Sequence, residues 1–138
     1  MLGIFICSHS DFATGIKKLA EMIAGPLENV ETFSLWKGES LEELAAQIKL
    51  KYEEYSHRGD PVVCLCDLEN ATPYHACLWA LSETNCRIFA GVNLPLLLEL
   101  ALGRETTENL DVFLDQCLAL AQGALNSIRV QDFLQDNN

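Results

Sequence analysis

Two residues of this chain have the type and the placement for nucleophilic chemistry. His9 sits in GIFICSHSDFATG, after a short apolar run and before an amphipathic one, at a turn where Gly, Asn or Asp is the usual choice. An imidazole placed there can act as a nucleophile or shuttle a proton. Asp67 stands in the same relation to a second apolar run, PVVCLC. If the two runs are neighbouring strands, the carboxylate accepts a hydrogen bond from His9 Nδ1–H, fixes the tautomer and leaves Nε2 free to attack. Unpaired N–H groups at the start of the following helix would suit a phosphoryl group. Each residue also has a plainer reading, His9 as a turn cap or packing group and Asp67 as an N-cap or Asx-turn. Position alone leaves both readings open.

The other reactive side chains point away from chemistry. Cys64 and Cys66 are two apart in an apolar run and so share one face of a strand, with Cys7 a candidate neighbour. Zinc sites usually draw paired cysteines from loops at C-x2-C spacing, which this sequence lacks. The six cysteines lie in apolar runs and are read as buried, reduced, small hydrophobes. His57 falls in the polar break HRGDP and is read as solvated, while His75 in the first turns of a helix is read as local packing. Tyr74, Trp36 and Trp79 are read as core or interface aromatics.

The elements that must position His9 and Asp67 follow from periodicity. Leu2 to Cys7 is an apolar run without helical period, as in a strand buried on both faces. Phe12, Ile16, Leu19, Ala20 and Ile23 recur at helical spacing, and Gly25-Pro26 ends that helix. Val30 to Leu35 reads as a second strand, and Ser40 with Glu43 forms a capping box for a helix to about Tyr55. Pro61 to Cys66 is a third strand, Thr72 to Ser82 a helix with Pro73 in its first turn, and Arg87 to Ala90 a fourth strand. Asn93 reads as the N-cap of a helix ending near Gly103, and Thr107 to about Asn126 as one more helix. Ile128 to Val130 is a weak candidate for a last short strand, and the closing QDNN reads as frayed. Strands alternating with helices at this spacing predict an α/β fold: an open, doubly wound, mostly parallel sheet with helices on both faces. In such folds function collects where strand carboxyl ends meet helix N-termini.

Composition narrows the function. A chain of 138 residues, 49% of them hydrophobic, is the size of a single domain spanning 1–138. A formal charge of −11 repels phosphodiester backbones, which argues against nucleic acid as a partner. No apolar run approaches the roughly 20 residues of a membrane span, and the first one has no basic flank, so a cytoplasmic location is expected. Asn70-Ala71-Thr72 is formally a glycosylation sequon and Arg58-Gly59-Asp60 an adhesion-like tripeptide, and both lose their meaning in that compartment.

Four stretches carry a resemblance. GIFICSHSDFATGIKKLAEMIAG, ENVETFSLWKGES, CDLENATPYHA and AGVNLPLLLELAL resemble, in register, the strand-SHG-helix start, the second strand, the DLFGGSPFNAA loop and the GVNLPMLLE segment of one family. That family is the IIA component of the mannose, fructose and sorbose branch of the bacterial sugar phosphotransferase system. The resemblance implies strand order 2-1-3-4 and a fifth, antiparallel strand exchanged in a homodimer, which would employ Ile128 to Val130. It implies that His9 takes a phosphoryl group from HPr and passes it to a IIB domain, with Asp67 orienting the ring. Contact with the membrane would be indirect, through the sugar permease. Phosphate would be held by the backbone and side chains of Ser10, Asn70, Ala71 and Thr72, without metal or other cofactor.

This chain departs from the family in that loop. Glu69, Asn70, Ala71 and Thr72 replace Phe-Gly-Gly-Ser, Ser10 replaces Gly, and His75 replaces Asn. Asn tolerates a positive φ, whereas Ala would lose roughly 1 kcal/mol if it had to adopt one. Glu69 within about 6 Å of a phosphoryl group would cost on the order of 2–3 kcal/mol per unit charge at an effective dielectric of 20. The departures leave three further readings: a donor domain for a dihydroxyacetone-kinase-type complex, a non-catalytic binding module on the same fold, and a cysteine-based metal or redox protein.

Overall fold

The computed structural model describes residues 1–136. Four strands, β1 (Gly3–His9), β2 (Val30–Leu35), β3 (Val62–Cys66) and β4 (Ile88–Ala90), form one parallel sheet in the order β2-β1-β3-β4. Helices α1 (Phe12–Ala24), α4 (Leu94–Gly103) and α5 (Leu110–Gln122) cover one face. Helices α2 (Leu41–His57) and α3 (Thr72–Ala80) cover the other. The uniform apolar character of β1 now has its cause. Ile4 and Ile6 point into the core under α1, α4 and α5, while Phe5 and Cys7 point into the core under α2 and α3, and all four are fully buried. The predicted α/β class, doubly wound sheet and order 2-1-3-4 are those observed.

The chain leaves β1 for β2 on one side and then crosses to β3 on the other, so strand order reverses between β1 and β3. His9 and Asp67 end up at the carboxyl side of that switch point. β1 runs two residues beyond the predicted Cys7, because Ser8 and His9 pair with Ser34 and Leu35 of β2. Ser40 and Asn93 cap α2 and α4 as predicted, accepting from Glu43 N–H at 3.1 Å and Leu96 N–H at 2.9 Å. α5 starts at Leu110 rather than Thr107, since the Asn109 side chain accepts from Val112 N–H and sets the entry there.

The predicted strand at Ile128 to Val130 is not found. Val130–Asp136 forms a short helix, α6, and residues 122–135 are all exposed. Within one chain this segment reaches no strand edge to pair with, and an unpaired strand leaves its amides without partners. The frayed end predicted for QDNN falls partly on residues 137–138, outside the described residues.

Candidate functional site

The two chemistry-bearing residues meet. His9 Nδ1 lies 2.8 Å from Asp67 Oδ2, and the backbone N–H of His9 donates to the same oxygen at 2.9 Å. A carboxylate only accepts, so Nδ1 carries the hydrogen and Nε2 holds the lone pair in the neutral ring. The His9 side chain is 48% exposed against 17% for Asp67, so the ring reaches solvent while its anchor does not. Asp67 Oδ1 is buried without a hydrogen-bond partner among the described residues, which leaves the contacts to His9 as the carboxylate's anchorage.

Ser8 builds the turn between β1 and α1. It is fully buried; its Oγ accepts from Ala13 N–H at 2.7 Å and donates to the His9 carbonyl at 3.1 Å. It does the capping that Asp11, at the formal N-cap position, does not. Ser10 then adopts φ 53°, its N–H donates to the Leu35 carbonyl at 2.8 Å, and its hydroxyl donates to Asp11 Oδ1 at 3.3 Å. Ser10 therefore presents a hydroxyl rather than an amide to its surroundings.

The loop after β3 accommodates most of its unusual residues. Leu68 to Ala71 is a turn closed by Ala71 N–H to the Leu68 carbonyl at 3.4 Å, with positive φ, 64°, at Asn70. Ala71 is extended at φ −86° and ψ 174°, so the strain anticipated for alanine does not arise there. Ala71 occupies the N-cap position of α3 and cannot cap it. Pro73 has no N–H, and those of Thr72 and Tyr74 find no acceptor among the described residues. The Tyr74 amide was not legible from the sequence, because it becomes a free donor only when Ala71 fails to cap. Glu69 is exposed and does not line the cavity onto which His9 opens.

That cavity, about 540 Å³, is lined by His9 and Ser10 at the end of β1, Thr72 at the start of α3, and Leu35, Trp36, Lys37, Gly38 and Glu39 at the end of β2 and in the turn after it. Trp36 is half-exposed at its rim rather than buried in the core. His75 packs edge-on against Tyr74 with ring centroids 5.6 Å apart, and His57 Nδ1 lies 2.7 Å from its own helix's Glu53 carbonyl, so neither joins His9. Beneath the site, Cys7, Cys64, Cys66 and Cys77 are buried together, with Cys77 Sγ 3.3 Å from Cys7 Sγ and 3.5 Å from Cys66 Sγ. Burial pushes the Cys7 thiol well above its ordinary range, as for a packed hydrophobe.

A strand-end histidine held by a carboxylate at the switch point of a doubly wound sheet places the chain in a class of α/β proteins with a site at the carboxyl ends of its strands. Comparison with known proteins specifies the class. The family model for the PTS system fructose IIA component matches residues 3–118, and the chain belongs to that family. It is 31% identical over 106 residues to the PTS system fructose-specific EIIA component of Bacillus subtilis, covering 76% of this chain and 72% of that one. It is 28% identical over 121 residues to the PTS system mannose-specific EIIAB component of Escherichia coli, covering 87% of this chain and 36% of the longer relative. Among solved structures, the PTS IIA protein associated with the fucose utilization operon of Streptococcus pneumoniae matches with TM-score 0.77 and 29% identity, over 96% of each chain. The mannose/sorbose-specific IIA subunit from Enterococcus faecalis shares the fold with TM-score 0.81 at 24% identity, over 93% of this chain and 95% of that one.

Proposed function

We propose that the protein is a phosphohistidine carrier of the sugar phosphotransferase system, charged on Nε2 of His9. The observation that supports this most strongly is the 2.8 Å contact from Asp67 Oδ2 to Nδ1 of a half-exposed ring. Nε2 attacks the phosphorus of a donor phosphohistidine; the new N–P bond forms as the donor's N–P bond breaks. The Nδ1 proton stays on the ring, and the positive charge developing there faces the Asp67 carboxylate. The free N–H groups of Thr72 and Tyr74, with the Thr72 hydroxyl and the Ser10 hydroxyl turned from Asp11, receive the phosphoryl oxygens. Asn70 and Ala71 act by shaping the turn that leaves α3 uncapped. No step calls for a metal.

In this reading HPr is the donor, a IIB domain the acceptor and the cytoplasm the site of exchange. Membership of the IIA family supports it, as does a relative whose name joins EIIA and EIIB in one component. The described chain acts as one IIA domain, and two copies pair through the exposed apolar side chains of Leu125, Ile128 and Val130. Incubation with phosphoenolpyruvate and the general phosphotransfer proteins is expected to add one phosphoryl group to the protein and none to His9→Ala. A wild-type chain that stays unlabelled while an authentic family member is labelled would overturn the reading.

A further inference from the structure

The turn after β2, which lines the same cavity as His9, carries a charge that the chemistry above leaves unused. Trp36 to Glu39 forms a closed turn after β2: Glu39 N–H donates to the Trp36 carbonyl at 3.0 Å, Trp36 N–H donates to Glu39 Oε1 at 3.2 Å, and Gly38 takes φ 89°. The residue after β1 is tied to the end of β2 where Ser10 N–H donates to the Leu35 carbonyl. Lys37 is thus held on a fixed turn, and among the residues lining the cavity it alone bears a permanent positive charge. The ion pairs among the described residues engage Lys51, Arg58, Arg87, His9 and the N-terminal ammonium, and Lys37 enters none of them.

Resting on the phosphohistidine reading, we propose that Lys37 is a phosphoryl-binding residue whose ammonium meets the phosphoryl group carried on His9. The electrostatic case is the charge of the surroundings. The chain carries a formal −11, Asp67 sits against the ring, Glu39 lines the cavity, and Asp11 accepts from the hydroxyl of Ser10, which lines it too. A phosphoryl group adds up to two further negative charges. The free N–H groups of α3 and its dipole supply about half a positive charge. The Lys37 ammonium supplies a further unit of positive charge, as a point charge able to follow the group during transfer.

The inference is tested by ³¹P NMR titration of the protein phosphorylated on His9, either by its protein donor or by phosphoramidate, a small donor that needs no docking. Lys37→Gln is expected to raise the phosphoryl group's second pKa by about half a unit and to shift the equilibrium toward the donor by about threefold. Lys37→Arg should restore both, and Lys51→Gln, at a residue that does not line the cavity, should change neither. A Lys37→Gln protein that is labelled on His9 with an unchanged phosphoryl pKa would overturn the inference. So would slowed labelling by the protein donor alone, which would make Lys37 a docking residue. If the wild-type chain takes label at His9 from neither donor, the phosphohistidine reading itself fails, and this inference with it.

Discussion

Replacing Ser8 by alanine removes the oxygen on which the start of α1 is built. Ser8 and Ala13 are both fully buried, so no water can take over as acceptor for the Ala13 N–H now bonded at 2.7 Å. Losing an N-cap acceptor costs about 1 kcal/mol in exposed helices, and a buried donor left without a partner costs about 1–3 kcal/mol. The two figures describe one lost bond against different references and are not added; the buried case applies, and about 2 kcal/mol is expected. With a urea m-value of about 2 kcal/mol/M, the midpoint falls by about 1 M. Far-UV circular dichroism during urea titration of wild type and Ser8→Ala reads this directly. A loss below about 0.5 kcal/mol at unchanged m would refute the reasoning, because the Ala13 amide would then have found another acceptor and Ser8 would not set the entry to α1.

Other consequences are equally open to measurement. Ser10→Gly should stabilise the fold by about 1 kcal/mol in thermal or urea unfolding, since φ 53° costs a serine what it does not cost glycine, whereas Ala71→Gly, at an extended position, should bring no gain. Arg104 is buried and donates to the carbonyls of Leu2, Glu28 and Asn29, so Arg104→Met should cost about 3 kcal/mol by stranding those acceptors. The Tyr55 phenol is raised to about 12 by burial and by its hydrogen bond to Glu31. Its contribution is complete below the unfolded value near 10 and is lost as pH rises through 12. Urea midpoints between pH 9 and 12 should therefore fall more steeply in wild type than in Tyr55→Phe. Asp67→Asn should slow labelling of His9 by about 100-fold in rapid-quench assays, because a neutral amide no longer balances the charge developing on the ring.

How much of this was legible in the sequence depended on how local each cause is. β1 and β3 could be read because both faces of each strand are buried, which leaves an unbroken apolar run. Ser40 and Asn93 can be read because a cap and the amide that donates to it lie within four residues of each other. The pairing of His9 with Asp67 needed the strand order as well, which topology made plausible and the resemblance implied. The role of Ser8 was hidden: a serine inside an apolar run is unremarkable until the following helix brings the Ala13 amide back over it. The conditional cost at Ala71 does not apply for a related reason, since the positive φ falls on Asn70 and Ser10 and no residue pattern fixes which corner of a loop takes it. The segment from Ile128 to Val130 has β-branched residues but no strand edge within its own chain, so propensity had nothing to pair with.

The central claim is that Asp67 holds Nδ1 of His9 and thereby directs phosphoryl chemistry to Nε2. Phosphorylated protein labelled with ¹⁵N in its histidine rings reports the position directly through nitrogen–phosphorus coupling. The geometry predicts coupling to Nε2 of His9, with Nδ1 still protonated. Phosphorus on Nδ1, or on a residue other than His9, would contradict it.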